Sequence, residues 1–309
     1  MSASLRRPRR LQTGDTVAFI APSGPVPDQR IEEGRRIVES WGLRVVVGRH
    51  AGEQDPHYPY LAGSSDAARA ADFEAAWCDP GIAAVLCMRG GYGTQRFVDL
   101  LDWERMRAAT PKVLVGYSDI TALHEAIAVR LGIATLYGPM PGTSNFAADV
   151  AAAEALRRLL FTPAAVTAVG KPDARALVPG RASGIAVGGC LALLAGDIGT
   201  PTMMRPAAGS IALLEDVGED AYRIDGFITH LLRAGWFDGV CGIALGSWAD
   251  CEPLEALLAE RLGALGVPVA WELGFGHCRE PITVPLGTEV TLDATAGVLQ
   301  LDQPPLMDH

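Results

Sequence analysis

The sequence has no C-x-x-C pair, no H-E-x-x-H, and no apolar run of about 18 residues. Each absence removes a class of protein. The six cysteines (Cys78, Cys87, Cys190, Cys241, Cys251, Cys278) are scattered through 309 residues. That spacing fits reduced, mostly buried thiols rather than a disulfide framework or a zinc site. The longest apolar candidate, Gly184 to Gly196, stops at Asp197, so no membrane span is expected. A formal net charge of −10 argues against nucleic acid as the main partner, because phosphate binding needs a basic surface. The one basic cluster, Arg6-Arg7-Pro8-Arg9-Arg10, runs into Leu11-Gln12-Thr13-Gly14-Asp15-Thr16, too polar for the core of an export signal. It reads as a solvated tail. The expected protein is soluble and cytoplasmic.

What is present suits a large apolar core. Hydrophobic residues make up 49% and charged residues 20%, enough for one large or two ordinary domains and incompatible with wholesale disorder. Short apolar runs alternate with helical patterns. Val17–Ala21, Leu43–Val47, Ile82–Cys87 and Val113–Val115 read as strands. Helices are expected at about 27–41, 65–78 and 147–161. Thr162 to Ser183 is punctuated by proline and glycine and reads as an inter-domain crossing. Beyond it, strands are expected at Ile211–Leu214, Val240–Leu245 and Val267–Trp271, a helix at about 222–234, and β-structure at the end. Strands that are continuous apolar runs imply a parallel sheet covered on both faces. The fold class is therefore α/β: an N-terminal parallel sheet flanked by helices, joined to a C-terminal β-rich α/β domain.

Gly116-Tyr117-Ser118-Asp119 falls where the Val113–Val115 strand gives way to the helical pattern Ile120, Leu123, Ile127. A serine on such a turn has an exposed hydroxyl beside the next backbone N–H and the start of a helix. That hydroxyl needs a base, and the base an orienting acid. Of six histidines, His277 is the best base: it follows a strand through Glu272-Leu273-Gly274-Phe275-Gly276, whose glycines permit a tight turn. His50 and His57 lie in polar loop, His230 falls inside a helix, and His309 is terminal. His124 is expected to point along the helix after Ser118. Glu215 ends a strand and is the candidate acid, although Glu215-Asp216 by itself is most simply a solvated turn. Arg89-Gly90-Gly91-Tyr92-Gly93 matches no dinucleotide or P-loop pattern. A Gly90 or Gly91 N–H can instead supply a second oxyanion donor opposite that of Asp119. Arg89 can hold a substrate carboxylate or form a structural ion pair. The domains are read as residues 1–146 carrying the nucleophile, 147–183 as helix and linker, and 184–309 carrying acid and base.

Several ordered motifs then carry a resemblance: Ile20–Gly24, Arg89–Gly93, Gly116–Asp119, Tyr137-Gly138-Pro139-Met140, Leu214–Asp216, Tyr222–Asp225, Gly246-Ser247 and Gly274–His277. The chain resembles the serine LD-carboxypeptidases, which include murein tetrapeptide carboxypeptidases and microcin C self-immunity peptidases. The resemblance implies a Ser118–Glu215–His277 triad, an oxyanion hole from the Gly91 and Asp119 backbones, and no metal or organic cofactor. It implies release of D-alanine from a muropeptide tetrapeptide in peptidoglycan recycling, and a homodimer. The murein enzymes often carry Trp-Gly-Gly-Asn where this chain has Val187-Gly188-Gly189-Cys190. That departure is expected to widen or dry the pocket. The alternatives are the same chemistry on microcin-like peptidyl-nucleotides or other acyl amides, and a non-catalytic protein holding a small anion in its glycine loops.

Overall fold

Apolar runs bounded by glycine and proline build two sheets in the computed structural model, which describes residues 4–308. The first takes β1 (Thr16–Ile20), β2 (Arg44–Val47), β3 (Ile82–Cys87), β4 (Val113–Gly116) and β5 (Thr135–Tyr137). The second takes β6 (Ala168–Val169), β7 (Arg175–Val178), β8 (Arg181–Cys190), β9 (Ser210–Val217), β10 (Val240–Ala249) and β11 (Val269–Trp271). The chain then returns to the first sheet with β12 (Val284–Leu286), and closes the second with β13 (Glu289–Asp293) and β14 (Val298–Leu301). The orders are β12-β5-β4-β3-β1-β2 and β6-β14-β13-β8-β9-β10-β11-β7. Strands β1 to β5 are mutually parallel, as are β8 to β11, and the antiparallel pairings lie at the margins.

The local reasons are those of the sequence. Five of the six β3 residues are buried, because helices cover both faces of a parallel sheet. The helix Asp28–Ser40 buries Ile31, Gly34 and Val38, the three- and four-residue spacing of one helical stripe. Ser65 caps the helix Asp66–Cys78 by accepting the Ala68 N–H at 3.1 Å. Phe19, Phe73 and Trp77 are fully buried, each contributing about 2–3 kcal/mol of apolar transfer.

Three long-range pairings depart from the sequence reading. Residues 162–183, expected as an irregular crossing, supply β6, β7 and the start of β8. Strand β12 leaves the C-terminal half and pairs antiparallel with β5, setting Val284 opposite Tyr137. Its edge position tolerates Pro285, since an edge strand can spare one N–H. The basic cluster is a strap rather than a solvated tail. Arg9 grips Asp15 with two hydrogen bonds of 2.8 and 2.9 Å, and Leu11 is fully buried. The Arg6 N–H donates to Gly132 O and the Met307 N–H to Pro8 O, so main-chain bonds hold the segment at both ends. No helix among the described residues is long and apolar enough to cross a membrane.

Candidate active site

Ser118 occupies the turn between β4 and the helix Thr121–Leu131, with φ at 64°. For a residue with a side chain this left-handed conformation is strained, and such strain gathers at functional turns. Glycines crowd the turn because it has no room for more. A Cβ at Gly90 would stand 2.9 Å from Ser118 Cβ and 3.1 Å from its Oγ, and one at Gly116 would meet the Ile120 side chain at 2.8 Å. Gly90 therefore lies directly against the serine, and the same Cβ would stand 3.4 Å from the Asp119 nitrogen. Gly91 and Gly93 both have positive φ, at 120° and 131°.

The Asp119 side chain fixes that loop. Its Oδ2 accepts hydrogen bonds from Ser23 Oγ (2.6 Å), Thr94 Oγ1 (2.6 Å) and the Thr94 N–H (2.9 Å), and the residue is 1% exposed. One carboxylate thus ties together the loop after β1, the glycine loop and the serine turn. Asp119 entered the sequence reading only for its backbone.

Glu215 lies within β9 and is fully buried. Its Oε2 accepts from His277 Nδ1 at 2.7 Å and from the His277 N–H at 3.1 Å. Gly276 makes that approach possible: with φ at 87°, a Cβ there would fall 2.2 Å from Glu215 Oε2. Burial alone would lower the His277 pKa. The hydrogen bond and charge of Glu215, with the charge of Asp216, outweigh it, and the net shift is upward. Asp216 is pushed up to about 6, chiefly by burial, and its Oδ2 accepts the Ala192 N–H at the start of the helix Leu191–Gly196.

The structure thus brings Gly90 to Ser118 and His277 to Glu215. Among the described residues Ser118 and His277 share no direct hydrogen bond. The ring of the neighbouring Tyr117 meets the imidazole edge-on at 4.8 Å; nucleophile–base bonds are commonly long without substrate. The imidazole faces a cleft of about 1000 Å³ also lined by Tyr117, Lys171, Asp250 and Arg279. Arg89 is exposed, donates to Pro25 O at 3.2 Å, and lines a smaller cavity with Arg30 and Tyr117. His124 lies on the helix after Ser118. It is buried, bonded to Thr135 Oγ1 (2.8 Å) and Gly116 O (2.9 Å), and burial lowers its pKa to about 4. His50 pairs with Glu53, while His309 lies outside the described residues. Val187 and Cys190, expected to reshape the pocket, are 2% and 3% exposed and line neither cavity.

Tyr137 is the residue that sequence reasoning missed. Its hydroxyl accepts the Ser118 N–H at 3.0 Å and donates to Glu215 Oε1. A tyrosine ending the strand beside the serine strand was the available signal.

A strained serine on a strand-to-helix turn, in an α/β fold that also holds an imidazole on a buried carboxylate, is the arrangement of a serine hydrolase. The LD-carboxypeptidase N-terminal domain matches residues 17–138, and the LD-carboxypeptidase C-terminal domain residues 183–292. The chain belongs to the LD-carboxypeptidase family. A Streptomyces coelicolor protein that carries a carboxypeptidase name is 56% identical over 308 residues, 98% of each chain. The murein tetrapeptide carboxypeptidase of Pseudomonas aeruginosa is 33% identical, over 90% of this chain and 92% of its own. The microcin C7 self-immunity protein of Escherichia coli is 26% identical over 92% of each chain. An apo structure of the microcin C7 self-immunity protein has the same fold, with a TM-score of 0.88 at 22% identity over 97% of this chain and 99% of that one.

Proposed function

We propose that this LD-carboxypeptidase releases the terminal D-alanine of the muropeptide L-Ala-γ-D-Glu-meso-diaminopimelate-D-Ala, in the cytoplasm, as part of peptidoglycan recycling. The observation that carries the reading is the 2.7 Å His277–Glu215 bond, with Tyr117, the neighbour of the strained Ser118, packed against the imidazole at 4.8 Å. In this reading Ser118 attacks the scissile carbonyl and His277 takes its proton. Glu215 orients the imidazole and stabilises its cation. The Gly91 and Asp119 N–H groups receive the oxyanion, each worth about 3–4 kcal/mol in the transition state. The amine of D-alanine leaves with the proton from His277, and water activated by the same imidazole frees the acyl group from Ser118. Arg89 and the Gly90 backbone bind the substrate, the guanidinium by pairing with a carboxylate. These steps call on no metal or organic cofactor. Residues 1–146 supply the nucleophile and residues 184–309 the acid and base, joined through 147–183, and the chain works as a homodimer.

A second reading, the same chemistry on a microcin-like peptidyl-nucleotide, is supported by the 26% identity to the self-immunity protein. Mass spectrometry of the purified protein with the tetrapeptide decides between them. Loss of one D-alanine, absent in Ser118→Ala and His277→Ala, is expected. An intact tetrapeptide after long incubation refutes the murein assignment.

A further inference from the structure

The active-site geometry leaves one polar group unused by the triad. Tyr137 sits at the end of β5, paired with Gly116 of the serine strand on one side and Val284 of β12 on the other. It is 1% exposed, and its ring is held by Tyr117, His124 and Phe275 at centroid separations of 6.1, 5.6 and 6.3 Å. His124 is itself fixed: a ring nitrogen donates to Gly116 O, so the other accepts from Thr135 Oγ1. The tyrosine hydroxyl has two partners, the Ser118 N–H that it accepts and the Glu215 carboxylate to which it donates. A single oxygen thus joins the main chain of the nucleophile to the carboxylate behind the base.

We propose that Tyr137 is a positioning residue that sets the proton affinity of the Glu215–His277 pair and holds the Ser118 turn in register with it. This rests on Ser118, Glu215 and His277 forming the triad. The mechanism has two parts. Accepting the Ser118 N–H satisfies a main-chain donor at a strained φ, which keeps the hydroxyl of Ser118 pointed outward and leaves the oxyanion to other donors. Donating to Glu215 Oε1 spreads the carboxylate charge away from Oε2, the oxygen that faces His277. Burial, and then the charge of Glu215, hold the phenol far above its ordinary value, so the hydroxyl keeps its proton and remains a donor. The other titratable groups that face the pair are Asp216, the thiols of Cys190 and Cys278 and the phenol of Tyr117, and only the carboxylate of Asp216 carries charge. None of them hydrogen-bonds Oε1 among the described residues; Tyr137 does.

Without the phenolic donor the carboxylate becomes more basic. The coupled pair then binds its proton at higher pH, whichever member carries it. Activity needs the pair unprotonated, so the acid limb of kcat/KM moves up.

The test compares wild type, Tyr137→Phe and site-specifically incorporated 3-fluorotyrosine at position 137, each assayed for D-alanine release from the tetrapeptide across pH. Fluorination makes the phenol a stronger donor at nearly constant shape. The expected result is an acid limb raised by about one pH unit in Tyr137→Phe, with kcat about tenfold lower, and a limb moved the opposite way by the fluorinated residue. A fall in kcat with an unmoved limb in both variants overturns the proposal and leaves Tyr137 a purely structural contact. Should Tyr137→Phe fail to fold, the fluorinated protein still decides by the direction of its limb. Ser118→Ala is assayed alongside: activity surviving there defeats the triad reading itself, not the role of Tyr137.

Discussion

Asp119→Ala tests whether the glycine loop is an oxyanion donor without touching any group proposed to meet substrate through its side chain. The Asp119 N–H belongs to the main chain and survives the substitution. What is lost is the carboxylate that accepts from Ser23 Oγ, Thr94 Oγ1 and the Thr94 N–H in a site 1% exposed. Hydrogen bonds to a charged acceptor contribute about 1.5–3 kcal/mol each, but they do not add. The two hydroxyls stand 2.9 Å apart and can satisfy one another, which leaves the Thr94 N–H as the one stranded donor. The net loss works out at about 3 kcal/mol, or about 5 °C in Tm at about 1.5 °C per kcal/mol for 309 residues. Thr94 follows the loop directly, so releasing it frees Gly91, and losing one oxyanion donor lowers kcat by about 10²–10³-fold. Calorimetry gives the first quantity and steady-state D-alanine release, measured well below the variant's Tm, gives the second. A protein that loses stability yet keeps its kcat refutes the loop's part in catalysis. One that loses neither refutes the reasoning about the carboxylate altogether.

Three further outcomes are expected. Gly276→Ala places a methyl group 2.2 Å from Glu215 Oε2 at a φ of 87°, so the carboxylate must move; a displacement of about 1 Å lowers kcat/KM by about 100-fold, and activity within about twofold of wild type contradicts the packing. His277 has a pKa raised above its ordinary 6.5, so activity falls as pH drops through that raised value and the neutral imidazole is lost. In Glu215→Gln the burial that lowers the pKa remains while the raising charge and hydrogen bond go. Its residual activity is expected to show an acid limb at lower pH than wild type, and an unmoved limb rules out Glu215 as the cause of the shift.

Much of this protein was decided locally. The apolar runs of β1, β3 and β4 needed no partner to be recognised, because a strand buried on both faces must be apolar at every position. The serine turn was legible for a similar reason: glycines and a serine between a strand and a helix leave few backbone solutions. Glu215 and His277 could be selected by residue type and by their place near strands. Their bond could not, since it depends on Gly276 letting the two chains meet.

Tertiary structure alone decided which polar atoms face one another. Ser23 and Asp119 are 96 residues apart and Tyr137 and Glu215 are 78 apart, distances over which no periodicity carries information. Strand β12 joins the first sheet, and the linker's β6 and β7 join the second, because exposed sheet edges gain hydrogen bonds from whichever segment the fold delivers to them. The basic strap became ordered on the same terms, through main-chain bonds to Gly132 and Met307. Sequence by itself determined the fold class and the residue types available for chemistry; the packing of two sheets determined that a tyrosine and an aspartate hold those residues in place, since buried polar atoms must find partners wherever the chain brings them.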